Sequence, residues 1–399
     1  MDYENLVKNF GTPLYIYDFS KISSRYNAIK TAFLARKSLI CYAVKANSNL
    51  SILKFLANLG AGFDCVSVCE IKKALLAGGK KYKIIFSGVG KRKDELEFAL
   101  KNDILFINVE SFEELKTLEK IAQDLGKIAR ISVRVNPNVD AKTHAYISTG
   151  LKENKFGVSI DEARKIYLYA KNSNFLNPVA IHFHIGSQIC DITPIFEAAK
   201  IVSSFTKELE AAKIDIKFFD IGGGIGVNYE DEIEPNLYDY AQGILSALNG
   251  QDKTIIIEPG RYIMANSGEL LTSVIYEKYN EKRRFVIVDA AMNDFIRPSL
   301  YGAKHKILTV KNNNENLEIC DVVGAICESG DFLAKNIKLP KFNSGDLLVL
   351  KGAGAYGYCM SSNYNSRLKP AQVAIINDEV KLISRRQNFE DLIDCEVLV

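Results

Sequence analysis

The sequence predicts a (β/α)8 barrel followed by an all-β domain. In the first two thirds of the chain, eight short apolar segments alternate with segments of helical periodicity. Eight strand–helix units in about 240 residues match the usual size of a (β/α)8 barrel. After about residue 265 the pattern changes to short alternating strands separated by turn residues, typical of a β-sandwich or β-barrel. We expect the barrel domain at 20–265, and a β domain formed by 266–399 together with a strand from 1–19.

Each element follows from its periodicity and its end signals. Residues 12–18 are predicted as an isolated strand, and Ser20 is the expected N-cap of a helix over 21–33. The barrel strands are predicted at 38–45, 62–66, 83–88, 104–108, 128–135, 179–184, 216–221 and 254–258. The helices between them are predicted at 49–59, 70–78, 92–101, 111–125, 161–172, 194–213 and 236–249. The connection 136–160 is longer than a simple loop, which favours a functional role.

The β domain is predicted from short alternating segments with turn signals between them. They lie at 270–278, 284–289, 306–310, 317–323, 347–351, 371–376 and 380–385. The basic run 282–284 is interpreted as a solvated turn, because lysine and arginine are mostly exposed.

Composition and charge exclude several functional classes. The net charge is only +3, with basic and acidic residues interspersed, which argues against a nucleic-acid-binding surface. The longest apolar runs are strand-sized, which predicts no membrane span, and residues 1–10 lack the apolar core of a secretory signal. Eight scattered cysteines without a CxxC pair, and four histidines without zinc-ligand spacing, predict reduced thiols, no metal site and a cytoplasmic location.

Polar or glycine residues stand at the carboxyl end of every predicted barrel strand. In a (β/α)8 barrel this end carries the active site. Chance could place one or two polar residues there, but hardly one on each strand. The residues are Lys45, Asp64, Ser87, Asn108, Asn136, His184, Gly222–Gly224 and Glu258.

Lys45 follows the apolar run 38–44 and has two interpretations. Its side chain could simply reach water from the end of a buried strand. Alternatively its amine is held partly desolvated, where it can form a Schiff base. The stretch alone does not choose between them, and the motifs that follow favour the second interpretation.

Three consecutive glycines follow the seventh barrel strand within Asp220–Gly226. Such a run is either a tight turn or a loop whose backbone N–H groups approach a phosphate closely. It is not a dinucleotide fingerprint, because Val227 stands where GxGxxG requires its last glycine. Loops after the seventh and eighth strands of such barrels commonly bind phosphate, which favours a phosphate site.

The eighth and sixth strands add a carboxylate, a guanidinium and two imidazoles. Glu258 could pair with Arg261, but Gly260 and Arg261 also suit an anion, and the carboxylate could accept a hydrogen bond from a protonated ring nitrogen. His182 and His184 share one face of the sixth strand, and His184 could stack on a flat ring. A Schiff-base lysine, a phosphate cradle, a carboxylate and a stacking imidazole are together what pyridoxal 5'-phosphate needs.

Three polar clusters stand out in the predicted β domain: Arg297–Tyr301, Cys327–Asp331 and Gly352–Tyr358. Taken singly, they could be a turn arginine, a polar hairpin loop and a glycine-rich bend. The Cys327 cluster has no second thiol or histidine nearby, so a metal site is not expected there.

With these clusters, the chain resembles the fold-type III pyridoxal-phosphate-dependent decarboxylases, whose fold is alanine-racemase-like. The matching motifs run through nearly the whole chain in the family's order. They are Tyr42–Asn47, His182–Gln188, Gly222–Gly226, Glu258–Arg261, Arg297–Tyr301, Cys327–Asp331 and Met360–Asn365. Residues 67–70 depart from the family, which usually has glycine there, and this leaves the conformation of that loop open.

The resemblance implies how the cofactor, pyridoxal 5'-phosphate, is held. Lys45 would bind it covalently, His184 would stack on its ring, and Glu258 would contact the pyridine nitrogen. The phosphate side would be held by Gly223, Gly224, Gly260 and Arg261. Tyr356 would touch both cofactor and substrate.

The resemblance also implies a reaction and its partners. The substrate would be meso-2,6-diaminopimelate, decarboxylated to L-lysine, with Lys45 and His184 as catalytic residues and Cys327 as the general acid. Residues expected to bind the substrate are Arg261, Arg297, Tyr301, Glu328 and Tyr356. A homodimer with a shared active site is expected, although spacing alone does not decide which subunit supplies Cys327.

Three alternatives stay open on the sequence. A decarboxylase of ornithine, arginine or carboxynorspermidine would share the cofactor residues, but it would not need an arginine for a distal carboxylate. An amino-acid racemase of this fold type would be expected to place arginine at the ring nitrogen, where this chain has Glu258. A non-catalytic pyridoxal-phosphate-binding protein would have little use for the Cys327 cluster.

Overall fold

The computed structural model of the protein describes residues 1–141, 154–281, 283–311 and 316–399. The chain forms two compact units. The first comprises Ser23–Val227 and Ile233–Tyr262, and the second comprises Met1–Ile22, Asn228–Glu232 and Ile263–Val399. None of the helices in these described ranges is long and apolar enough to cross a bilayer.

The N-terminal segment consists of α1 (Tyr3–Phe10), β1 (Leu14–Asp18) and α2 (Phe19–Ala32). Helix α1 is not anticipated from the sequence, and Asp2 caps it by accepting a hydrogen bond from the Asn5 N–H at 3.0 Å. The prediction of Ser20 as the N-cap of the second helix is wrong. Asp18 Oδ1 accepts hydrogen bonds from the backbone N–H groups of Ser20 and Lys21 at 2.9 and 3.2 Å, so α2 begins at Phe19.

Eight parallel strands form a closed barrel in the first unit, which confirms the predicted architecture. The strands are β2 (Ser38–Ala43), β3 (Gly62–Cys65), β4 (Ile84–Phe86), β5 (Phe106–Val109), β6 (Ala129–Arg134), β7 (Leu176–His182), β8 (Phe218–Asp220) and β9 (Thr254–Ile257). Strand β2 pairs with both β3 and β9, which closes the barrel. Most strand residues are buried on both faces, which explains why the strands read as continuous apolar runs.

The helices between the barrel strands agree with the predicted ones to within two residues at each end. They are α3 (Leu50–Asn58), α4 (Val68–Leu76), α5 (Lys93–Lys101), α6 (Phe112–Asp124), α7 (Ile160–Lys171), α8 (Thr193–Ala211) and α9 (Leu237–Ala247). About half of the connection predicted to be functional, residues 142–153 of 136–160, lies outside the described residues.

The loop that departs from the family pattern is the start of α4. Ser67 Oγ accepts a hydrogen bond from the Glu70 N–H at 3.2 Å, and Glu70 Oε2 accepts one from the Val66 N–H at 2.7 Å. This reciprocal arrangement resembles a capping box and satisfies two backbone donors at the helix start. Burial raises the pKa of Glu70 to about 7.

The second unit contains a nine-stranded sheet that includes β1. Its other strands are β10 (Gly268–Asn280), β11 (Arg283–Val288), β12 (Ile307–Thr309), β13 (Glu318–Val323), β14 (Phe332–Leu339), β15 (Leu347–Leu350), β16 (Ala371–Ile376) and β17 (Glu379–Ser384). Strand β1 pairs antiparallel with β10 and parallel with β16. Three short helices complete the chain: α10 (Arg261–Met264), α11 (Arg297–Tyr301) and α12 (Phe389–Ile393).

Two features of this sheet differ from the prediction. Strand β14 is missed because only Leu333 and Leu339 are buried along it, so it lacks a clear alternation. The basic run is not a solvated turn: Arg283 and Arg284 begin β11, and Lys282 lies outside the described residues. The Arg284 side chain is buried, pairs with Glu277 and donates a hydrogen bond to the Leu339 carbonyl at 2.9 Å.

Candidate active site

Lys45 lies at the carboxyl end of the barrel, just beyond β2. The strand ends at Ala43, and Lys45 is in a single 3-10 turn over Val44–Ala46 instead of in the strand as predicted. Its Nζ is 3.2 Å from Asp64 Oδ2. The Asp64 side chain is fully buried, whereas the Lys45 side chain is 40% exposed. Asp64 thus holds the amine at the barrel mouth, where a ligand can reach it.

The ionised form of Asp64 is disfavoured by its surroundings. Burial, together with the charge of Glu258, raises its pKa, and the charge of Lys45 opposes this rise. One of its oxygens, Oδ1, is buried without a hydrogen-bond partner among the described residues. The ion pair with Lys45 is therefore the main interaction that favours the ionised form of Asp64.

His184 lies two residues beyond the end of β7, and its imidazole is neutral. The Gly223 N–H donates a hydrogen bond to Nδ1 at 3.3 Å, so Nδ1 carries no proton. Burial and the nearby charges of Arg134 and Lys45 hold the pKa of His184 well below its usual value. A neutral, flat imidazole beside the glycine loop is suited to stack on an aromatic ring.

The glycine loop after β8 allows no side chains. Gly222 and Gly224 have φ values of +66° and +107°. A Cβ on Gly223 would lie 2.3 Å from the Glu258 carbonyl oxygen, and one on Gly224 would lie 2.5 Å from the Gly186 carbonyl oxygen. The loop therefore packs backbone against backbone on the ends of the neighbouring strands, as a close approach to a phosphate requires.

Gly260 and Arg261 complete this end of the barrel. A Cβ on Gly260 would lie 3.0 Å from Cβ of Ala46 and 3.1 Å from Cβ of Ala43, so glycine lets this turn approach the Lys45 turn. Arg261 is buried, and its Nε and Nη2 donate to Ser187 Oγ at 3.2 and 2.9 Å. A buried guanidinium next to the glycine loop places a positive charge where an anion would bind.

Glu258, Asp220 and His182 form a buried cluster behind this surface. One ligand atom of each residue lies within 4.8 Å of those of the other two. Glu258 Oε1 and Asp220 Oδ2 meet no hydrogen-bond donor among the described residues, and Asp220 Oδ1 accepts from the Gly222 N–H at 2.9 Å. Two facing carboxyl oxygens that both lack a donor are stable together when one of the two groups carries a proton.

The surroundings of the two carboxyl groups decide where that proton resides. Burial, reinforced by the charge of Glu258, raises the pKa of Asp220 well above its usual range. Burial alone would also raise the pKa of Glu258, but His182, whose Nε2 is 3.4 Å from Glu258 Oε2, and the Lys45 amine bring it to about 2. Asp220 is therefore neutral, and Glu258 is a carboxylate.

The same three groups could in principle bind a metal ion through one nitrogen and two oxygens. The two carboxyl groups share a proton, and a metal ion bound there would have to displace it. The cluster suits a protonated ring nitrogen beside Glu258 better.

A second buried network connects neighbouring strand ends, and the sequence gives little sign of it. Glu110 accepts hydrogen bonds from the backbone N–H groups of Gly88 and Gly157 at 3.2 and 3.0 Å, and its Oε1 is 3.3 Å from Arg134 Nη1. Burial would raise the pKa of Glu110, but Arg134 and Lys91 hold it below its usual value. Through Gly157, the network fixes one end of the long connection after β6.

The remaining residues predicted to bind substrate belong to the second unit. Arg297 and Tyr301 are the first and last residues of α11, and the Arg297 side chain lies over the Tyr301 ring at 5.8 Å. Cys327 is exposed, and its N–H donates to Asn365 Oδ1 at 2.9 Å. Tyr356 has a φ of +55°. The functional roles assigned to these residues stay predictions.

The carboxyl end of the barrel fits pyridoxal phosphate in charge and shape. It combines an amine at the mouth, a neutral imidazole and a backbone loop without space for side chains. It also contains a buried carboxylate, one oxygen of which has no hydrogen-bond partner in the part of the chain that the structure describes. Lys45, His184, Gly223, Gly224, Glu258, Gly260 and Arg261 all lie at this end. The structure adds Asp64 and Asp220, which stood at predicted strand ends without an assigned role.

Comparison with known proteins defines the class. Residues 19–265 match the family model of the pyridoxal-dependent decarboxylases, described as their pyridoxal binding domain. The chain therefore belongs to the pyridoxal-dependent decarboxylase family, and its cofactor is pyridoxal phosphate. This confirms the class expected from the resemblance.

Within this class, the chain is similar to diaminopimelate decarboxylases. It is 62% identical over 397 residues to that of Campylobacter jejuni, with 99% of this chain and 98% of the relative covered. The crystal structure of diaminopimelate decarboxylase from Helicobacter pylori complexed with L-lysine superposes with a TM-score of 0.97 at 58% identity, covering 99% of each chain. That of M. jannaschii in co-complex with L-lysine gives a TM-score of 0.95 at 37% identity, covering 100% and 95%.

Proposed function

We propose that this chain decarboxylates meso-2,6-diaminopimelate to L-lysine and CO2, the last step of lysine biosynthesis. One observation carries the proposal: the 62% identity to the Campylobacter jejuni diaminopimelate decarboxylase extends over both chains almost completely. The similarity covers the second unit as well as the barrel.

Pyridoxal phosphate, when bound, supplies an electron sink for the negative charge left at the α-carbon when CO2 departs. The protein holds and orients the cofactor and the substrate, and it supplies the proton that replaces CO2. Lys45 offers the amine that holds the cofactor, and Asp64 keeps this amine at the barrel mouth. His184, neutral because Gly223 donates to its Nδ1, supplies a flat surface for the ring. Gly223, Gly224, Gly260 and Arg261 form the phosphate side.

Glu258 keeps a negative charge facing the ring nitrogen, which favours the protonated ring and so deepens the electron sink. The charge is maintained because His182 and Lys45 stabilise it and because Asp220, the better proton acceptor of the pair, already holds the shared proton. A buried pair without this asymmetry would exchange its proton with the ring and weaken the sink.

The substrate carries an ammonium and a carboxylate at the end that does not react. An acid and an arginine are needed to bind these groups. Glu328 with Arg261 or Arg297 would serve, and Tyr301 and Tyr356 complete the proposed substrate contacts. Cys327 is proposed as the general acid that returns a proton to the α-carbon, a role open to an exposed thiol.

A homodimer in the cytoplasm is the proposed working form. In support of a reducing compartment, the eight cysteines, all within the described ranges, form no disulfide with one another. In support of an oligomer, chemically important residues are divided between the two units, and a two-fold dimer could complete each site from both subunits.

Product analysis with a panel of amino acids tests the proposed function. The purified protein, loaded with pyridoxal phosphate, should release CO2 from meso-diaminopimelate and form L-lysine in equal amounts. Ornithine, arginine and carboxynorspermidine should react at least a hundredfold more slowly, since they leave the site's buried charges unpaired. Faster reaction with any of these three would replace the proposed substrate.

A further inference from the structure

We propose that His305 is a positioning residue: it orients the guanidinium of Arg297 toward the carboxylate at the unreactive end of the substrate. The inference rests on the proposed function, because it needs a substrate with such a carboxylate. His305 lies outside the motifs that carry the family resemblance.

The contact between the two side chains is direct and buried. Arg297 Nε donates a hydrogen bond to His305 Nε2 at 3.2 Å. The two residues are only 5% and 4% exposed. A buried guanidinium is costly unless it is hydrogen-bonded, so a neutral acceptor at Nε contributes to holding the charge in place.

The fold brings the two residues together over a short stretch of chain. Arg297 opens α11, and Gly302 ends this helix with a φ of +60° in the left-handed region. The chain then turns back, and the Ala303 N–H meets the Arg297 carbonyl at 3.4 Å. His305 therefore lies beside the arginine that begins the helix.

A second hydrogen bond fixes the tautomer of His305. Its Nδ1 is 3.0 Å from the carbonyl oxygen of Lys351, which can only accept. The proton of the neutral ring must therefore be on Nδ1, which leaves the Nε2 lone pair for Arg297. Since both ring nitrogens have defined partners, the imidazole cannot flip without losing a hydrogen bond.

Aromatic rings confine the pair on several sides. His305 contacts Tyr229 and Phe295 edge to face, with ring centroids 4.8 and 4.7 Å apart. The Arg297 guanidinium lies over the Tyr229 ring at 5.0 Å. These contacts restrict the orientation of the His305 imidazole and of the Arg297 guanidinium. Rotation of the guanidinium about the side-chain torsions next to it is therefore limited.

The hydrogen bond to His305 orients the Arg297 guanidinium through Nε and does not involve the terminal nitrogens. His305 accepts from the Nε–H group of Arg297. The two terminal NH2 groups can donate two parallel hydrogen bonds to a carboxylate. In this arrangement His305 orients the two terminal NH2 groups of Arg297, and Arg297 binds the carboxylate.

Two amide variants separate the two hydrogen bonds of the imidazole. His305→Asn places an amide near the Nδ1 position, so it keeps a donor for Lys351 but loses the acceptor for Arg297. His305→Gln places an amide near the Nε2 position and keeps that acceptor. Both are polar and smaller than histidine, so each controls for the other in packing.

Steady-state kinetics of the holoenzyme give the first readout. His305→Asn should raise KM for meso-diaminopimelate about tenfold, the loss expected for a hydrogen bond to a charged group. Its kcat should change less than about twofold, because the unreactive end is bound equally in ground and transition states. His305→Gln should recover most of the affinity. In an Arg297→Gln background, His305→Asn should add little further loss.

Ligand binding gives a readout that is independent of turnover. Calorimetry should show L-lysine, which retains the carboxylate, binding about tenfold more weakly to His305→Asn than to wild type, whereas cadaverine, which lacks it, should bind both equally. Equal loss for both ligands, or unchanged L-lysine binding by a folded variant with full cofactor content, overturns the inference. If wild-type enzyme forms no L-lysine from meso-diaminopimelate, the proposed function itself fails.

Discussion

Asp220, the last residue of β8, and Glu258, the residue after the neighbouring strand β9, are both buried and have opposite protonation states. The Glu258 N–H donates to the Gly222 carbonyl at 2.8 Å, so the glycine loop ties the two strand ends together. His182 and Lys45 favour the charge on Glu258, whereas burial and the charge of Glu258 raise the pKa of Asp220. Replacing the carboxyl group by an amide should therefore impair catalysis at Glu258 and leave it almost unchanged at Asp220.

Glu258→Gln should bind pyridoxal phosphate but lose kcat by about a hundredfold or more, because a neutral amide does not stabilise a protonated ring nitrogen. KM should change little, since the charge acts on the reacting centre. Steady-state kinetics with cofactor content measured in parallel provide the check. A variant with kcat close to wild type would show that Glu258 has a structural part only.

Asp220→Asn should keep kcat within about threefold of wild type, because asparagine reproduces a neutral carboxyl group that accepts from Gly222 and donates toward Glu258. Asp220→Ala is the matched control, and it should lose both hydrogen bonds and lower the melting temperature. If Asp220→Asn were as damaging as Glu258→Gln, Asp220 would be ionised in the folded protein and the assignment of the shared proton would be reversed.

Lys45 should carry the cofactor. Reduction of the holoenzyme with borohydride, followed by peptide mapping, should place the pyridoxyl group on the peptide that contains Lys45, since this amine lies at the barrel mouth. Lys91 is a useful comparison, because its amine is buried and bound to Glu114 at 2.7 Å. Modification of another lysine, or none with cofactor in excess, would contradict the site.

The proposed shared site predicts complementation between two inactive variants. Lys45→Ala and Cys327→Ala should each be inactive alone, and mixing them under conditions that exchange subunits should restore about a quarter of wild-type activity. Half of the randomly formed dimers would be mixed, and each would contain one complete site. Differently tagged subunits would verify the exchange. Verified mixed dimers that stay inactive would mean that Cys327 serves its own subunit.

The fold could be predicted because the signals that define it are local and repeated. The barrel strands and helices follow from periodicity and caps, and the carboxyl-end residues follow from the architecture. Strand β14 has too few buried residues to be recognised, and α1 depends on a cap by Asp2 in a short terminal segment. Both exceptions are segments whose pattern is weak over a few residues.

The site could be predicted in its motifs but not in its electrostatics. Lys45, Glu258 and the glycines have residue types that indicate their chemistry. The neutrality of Asp220 depends on neighbours that only the folded barrel brings together, and so does the tautomer of His305. The residue types in a sequence show which groups can bind a proton, whereas the tertiary environment determines which of these groups hold one.

The proposed reaction removes CO2 from one end of meso-diaminopimelate and adds a proton to the same carbon. Incubation of the holoenzyme with this substrate in D2O, followed by mass spectrometry, measures both steps at once. We predict one equivalent of CO2 and L-lysine that carries a single non-exchangeable deuterium, on the carbon that lost its carboxyl group. Recovered diaminopimelate with deuterium at an α-carbon and no CO2 would indicate a racemase, and unchanged substrate would contradict the proposed reaction altogether.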